Sequence, residues 1–161
     1  MSETARAWLF GLLGWSAMGL VAYAPLPWEM KLAFWVVVLN VTDDFGGRWF
    51  GYIGILLGAL GFFNPTESWW TTYPLMFFVL WAFLLLKHTL HVYGVVIGML
   101  GVLGLFAALK IAVPLLDPSL RLLTSNTFIL PVLVAFLIAS IVHVWVFFSS
   151  NRTNGLKTTQ A

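Results

Sequence analysis

Cysteine is absent from this sequence, and charge is scarce: Asp, Glu, Lys and Arg together make up 9% of its 161 residues. The first absence excludes disulfides, thiolate metal ligands, iron–sulfur clusters and a cysteine nucleophile. The second argues against a domain bathed in water, because a soluble chain carries about 25% charged residues. Eight Lys and Arg against six Asp and Glu leave a net charge of +2. The cations are scattered singly, so the clustered basic face that nucleic acid requires is missing. Catalytic patterns are missing too: there is no G-x-S-x-G, no Walker A loop, no H-E-x-x-H, and no dinucleotide fingerprint after a strand. Glu29 and Glu67 stand alone. An enzyme reading therefore rests only on a few His and Asp residues.

Apolar residues are what the chain has, at 61% with a mean hydropathy of +0.95. At roughly 150 residues per domain this is one unit, and its composition is that of a polytopic membrane protein. Crossing about 30 Å of hydrocarbon takes roughly 20 helical residues, and only helices or closed barrels satisfy their backbone in lipid. The apolar runs are continuous and do not alternate, which predicts an all-α bundle of about six hydrophobic helices, near residues 7–24, 28–42, 49–63, 73–88, 92–116 and 127–148, with a polar tail over 149–161. Arg6, the following apolar run and Ala22-Tyr23-Ala24 resemble a secretory signal. Pro25 directly after the cleavage position disfavours cutting, so this segment is read as a retained helix. The second and third segments are short, since about 14 helical residues reach roughly 21 Å. They either span a thinned bilayer or form a re-entrant pair, and both paths return the termini to one side. Cytoplasmic loops are enriched in Lys and Arg. With both ends inside, Arg6, Arg48, Lys87, Arg152 and Lys157 fall on the inner side, and Lys31, Lys110 and Arg121 on the outer. Trp8, Trp28, Trp49, Trp69, Trp70, Tyr73, Tyr93 and Trp145 fall near segment ends, as an interfacial aromatic belt would. Trp15, Trp35 and Trp81 do not, and read as lipid-facing or packed bulk.

Glycine supplies the clearest periodicity. Gly47, Gly51, Gly54, Gly58 and Gly61 recur with 4-3-4-3 spacing on one side of the third segment. Gly94, Gly98, Gly101 and Gly104 form a similar stripe on the fifth, and Gly11 with Gly14 begins one on the first. Such stripes let helix backbones approach closely in lipid, so they are expected to be packing faces.

The polar residues are few enough to weigh singly. His88 and His91 lie at the end of the fourth segment, and His143 lies about 24 Å along the sixth, so all three are expected at one depth on the cytoplasmic side. Hydrogen bonding to backbone or headgroups is the plain reading. His88, His91 and His143 could otherwise bind a transition metal, or His88 and His143 the two axial positions of a b-type haem. Asp43 and Asp44 either cap the third helix, where the dipole favours acids, or lie at depth as an ion or substrate site with Arg48 as the nearest counter-charge. Lys110 is expected to snorkel to the outer interface.

Three functions follow. The first is a non-enzymatic integral-membrane subunit that packs into a larger complex, its partners being lipid and other membrane subunits. The second is a small transporter or channel using the Asp43/Asp44 helix break. The third is a haem- or metal-binding redox subunit. About six helices, a glycine-rich third segment and a fourth ending at Lys87 look loosely like the rod-shape membrane protein family MreD and the substrate-capturing subunits of vitamin transporters. The acidic residue that the first of these places in its third segment is replaced here by Gly58 and Ala59. The likeness implies a scaffold first and a transporter second.

Overall fold

The computed structural model describes residues 2–61, 69–116 and 124–158. The described residues form five helices: α1 (Glu3–Tyr23), α2 (Trp28–Gly46), α3 (Arg48–Gly61), α4 (Trp69–Leu116) and α5 (Asn126–Thr158). Glu67 and Arg121, between the segments expected at 49–63 and 73–88 and at 92–116 and 127–148, lie outside the described residues.

Local chemistry accounts for most helix ends. Ser2 caps α1 by accepting from the Ala5 N–H at 3.2 Å, and Glu3 sits in the first turn, where the dipole favours an acid. Pro25 and Pro27 separate α1 from α2. Between α2 and α3 stands a single residue, Gly47, with φ of +99° and open space around its Cα. Gly47 therefore serves the turn, where positive φ suits glycine, and takes no part in the packing stripe expected of it.

The helix α4 doubles back on itself. His91 has φ 52° and ψ −126°, a conformation outside the helical region, and separates arms 69–90 and 92–116. Gly98 lies against the Phe83 ring and Gly94 against the Leu86 carbonyl. In an unbroken helix residues 83 and 98 would be about 22 Å apart, so the arms run antiparallel. The break expected between the segments at 73–88 and 92–116 is thus one residue wide.

The centre of the fold is α2. It runs antiparallel to α1, with Gly14 against Thr42 and Gly46 against the Gly11 backbone, and antiparallel to α3, with Gly51, Gly54 and Gly58 against Asp43, Leu39 and Trp35. It lies parallel to α5, since Trp28 stacks on Phe128 near one end and Asp44 meets His143 near the other. The core joins Trp35, Val36 and Leu39 of α2, Leu80, Phe83 and Leu84 of α4, and Val132 and Phe136 of α5. Trp35 is packed inside and donates its Nε1–H to the Gly54 carbonyl at 3.2 Å, whereas Trp81 is exposed.

Three helical stretches, Glu3–Tyr23, Pro74–Leu116 and Asn126–Ser150, are long and apolar enough to cross a membrane. Their outward faces carry large apolar side chains such as Leu20, Leu100, Ile111, Leu130 and Ile141, as an integral membrane protein requires. The expected six hydrophobic spans differ from this in two ways. The doubled α4 merges two of them, and α2 and α3 fall short of the length or apolarity that a span needs. The α2 helix is 19 residues long, so it is not short as expected, but it holds Glu29, Lys31, Asp43 and Asp44. The helix expected over 127–148 continues as α5 into the polar tail, as far as Thr158.

Candidate functional site: a buried five-residue ionic cluster

Asp43 and Asp44 lie in the last turn of α2, not ahead of α3, so the capping role expected of them does not apply. A carboxylate near a helix C-terminus opposes the dipole. The compensation comes from α4: Lys87 Nζ lies 2.7 Å from Asp43 Oδ2 and 2.9 Å from Asp44 Oδ1, with the three side chains at most 4% exposed. The same ammonium donates to the main-chain carbonyl of Asn40 at 3.2 Å, so it lies against three oxygens of α2. Arg48, expected to be the counter-charge, is exposed at the start of α3.

Each carboxylate also holds one imidazole. His88 Nε2 lies 2.9 Å from Asp43 Oδ1, and His143 Nδ1 lies 2.6 Å from Asp44 Oδ1. The chain of contacts therefore runs His88, Asp43, Lys87, Asp44, His143 and ties α4 to α2 to α5. Its two ends are the most open parts, the imidazoles being 20% and 13% exposed. Tyr52 of α3 packs its ring against His88, with centroids 5.8 Å apart. Glycine makes room on that side, because a methyl group at Gly51 would collide with the Asp43 carboxylate.

Several residues singled out in the sequence sit elsewhere. His91, at the reversal of α4, is exposed and stacks on Phe147 with centroids 5.8 Å apart. His88 and His143 face different carboxylates. Among the described residues, no three His, Asp or Glu side chains are placed to hold a metal ion. Gly101 and Gly104 have open space where a Cβ would stand, so among the described residues neither packs a neighbouring helix. Gly61 is the last residue of α3. Lys110 bonds to Asn126 of α5, and Lys31 reaches the Ala22 carbonyl at 2.8 Å.

The residue that sequence reasoning missed is Lys87. Placed at a segment end, it reads as a loop cation that sets orientation, but it is 1% exposed and contributes nothing to any loop. The signal was its position beside His88 within an otherwise unbroken apolar run, since an ionisable group in such a run calls for a partner of opposite charge. Asn40 was also passed over, although it is buried and donates its Nδ2 to the Val36 carbonyl at 2.9 Å.

Against known proteins, the chain matches no family model, no curated protein sequence and no solved structure; the likeness of layout to two membrane families therefore carries no family assignment.

Proposed function

We propose that this is a small multi-pass membrane protein that moves protons or a proton-coupled solute, with Asp43, Lys87, Asp44, His88 and His143 as its protonatable site. The observation that supports this reading is the continuous contact chain between two partly open imidazoles through a middle that is at most 4% exposed. Ionisable groups among membrane helices are expensive, and they commonly mark proton or ion paths. Two carboxylates and one ammonium leave a single negative charge. One additional proton makes the buried group neutral, so the cluster has a reason to take up and release one. The helices α2 and α3, which fall short of ordinary spans, join the bundle beside the apolar ones, and the bilayer surrounds the whole. Arg6, Arg48, Arg152 and Lys157 favour the cytoplasmic side for both termini, and Trp8, Trp49 and Trp145, all exposed, serve as interfacial anchors.

Reconstitution into vesicles under an imposed pH gradient tests the proposal. Proton flux, or uptake of a coupled solute, should collapse when Asp43 and Asp44 both become Asn. Unchanged flux in that variant, or no flux from the wild type across a solute panel, rejects it.

A second reading, a supporting subunit of a larger membrane complex, draws on the second arm of α4. There Gly101 and Gly104 face open space, and an apolar groove of about 470 Å³ runs between Val95, Met99 and Leu100 and the Ser140, Ile141 and Val144 side of α5. Native mass in mild detergent tests this reading, and a monomer with no co-purifying membrane protein counts against it.

A further inference from the structure

Around the cluster, four buried polar atoms have no hydrogen-bond partner among the described residues: Asn40 Oδ1, Asp43 Oδ2, Asp44 Oδ2 and His143 Nε2. Asp43 Oδ2 still has the Lys87 ammonium at 2.7 Å, which leaves the other three. Two of them belong to residues four apart on α2. Side chains so spaced lie one above the other, and each leans toward the helix N-terminus. The Asp44 carboxylate thus leans over the turn that holds Asn40. The two residues also flank one ammonium, because Lys87 reaches Asp44 Oδ1 and the Asn40 main-chain carbonyl together.

The Asn40 amide cannot turn to relieve this. Its Nδ2 donates to the Val36 carbonyl at 2.9 Å, and the reversed amide would set one acceptor against another. With Asp44 ionised, the pair therefore presents two buried acceptors and no donor, an arrangement that native interiors avoid. From these positions we infer that the exchangeable proton resides on Asp44 Oδ2 and is donated to Asn40 Oδ1. This rests on the reading that the cluster takes up a proton, and it names where that proton is held.

The remaining atoms fit a protonated Asp44. Its Oδ1, then a carbonyl oxygen, still accepts from Lys87 and from His143 Nδ1–H. A neutral His143 needs only that one donor, whereas an imidazolium would bury a second N–H at Nε2, where no acceptor stands. Asp43 keeps its charge beside Lys87 and His88, so the buried group is neutral as a whole. The ionisable groups facing Asp44 are Asp43 on its own helix, Lys87 with His88 beyond it on α4, and His143 on α5. From α3, Tyr52 packs on His88 and lies within the field of Asp43, Arg48 is exposed, and α1 meets this end of α2 through Gly11 and Gly14.

Infrared difference spectra of the full-length protein in vesicles, recorded across a pH series, test the assignment, since a protonated carboxyl group has a C=O stretch separate from the carboxylate bands. One carboxylic acid band should appear as pH falls. It should be lost in Asp44→Asn and kept in Asp43→Asn. In Asn40→Leu it should move in frequency and persist only to a lower pH, because the acid has lost its acceptor. Asp44→Asn supplies an N–H in place of the proton and should fold; should it fail to, Asn40→Leu decides the matter. A band that follows Asp43, ignores Asn40, answers to Na⁺ rather than pH, or never appears overturns the assignment. If the band behaves as expected while vesicle flux is absent, the transport reading fails and this proton site stands; intact flux without the band gives the reverse.

Discussion

Two glycine stripes of similar spacing are used in opposite ways. On α3, Gly51, Gly54 and Gly58 press against Asp43, Leu39 and Trp35 of α2, so the backbones close up around the ionic cluster. On the second arm of α4, Gly98 touches Phe83, but Gly101 and Gly104 meet nothing among the described residues. The difference teaches that spacing places small residues on one face without saying what that face meets. In this fold the closed stripe accompanies buried charge, where a loose fit would admit water, and the open one lies on an apolar rod.

Four substitutions, with Lys110→Met as a control, test that contrast, and all can be followed by thermal unfolding in one detergent. Lys87→Met should have the largest effect, because removing one partner of a buried ionic group costs about 3–5 kcal/mol; the comparison weakens if Lys110→Met is equally damaging. Gly58→Leu should destabilise by about 1–3 kcal/mol or more, since even a methyl group there would overlap the Trp35 ring. Trp35→Phe removes the hydrogen bond to the Gly54 carbonyl along with some packing, and a loss of about 1 kcal/mol is expected, read most directly as faster unfolding. Gly101→Leu should cost nothing and gain up to about 1 kcal/mol, because the site is open and glycine is the poorer residue in a helix interior. A large loss at Gly101 would mean that its open face is covered by another molecule, and the contrast between the stripes would then disappear.

Much of the helical layout could be read from the chain itself, because long uninterrupted apolar runs have one solution in lipid. The α1 helix and the second arm of α4 lie close to where their composition puts them. The errors fell where a polar residue has a distant partner. Asp43 and Asp44 look like the end of a helix, yet α2 runs on through them to Gly46, since Lys87 neutralises them from 43 or 44 positions away. Lys87 in turn looks like a loop cation for want of any local sign that two acids await it. Asp43, Asp44, His88 and His143 could be picked out individually as costly groups, whereas the pairing of each acid with its own imidazole depends on how α4 and α5 pack beside α2. The break between the segments at 73–88 and 92–116 could be read, but not that His91 alone makes it, since the backbone there is a non-glycine residue with positive φ.

That turning point governs how the molecule could change shape. With a single residue joining the two arms of α4, there is no slack to let one arm slide past the other. Any opening between them must splay from the far end, with His91 as its fulcrum. Lys87 and His88 sit about a turn from that fulcrum and would travel least, so such a motion would leave the members of the ionic cluster in register.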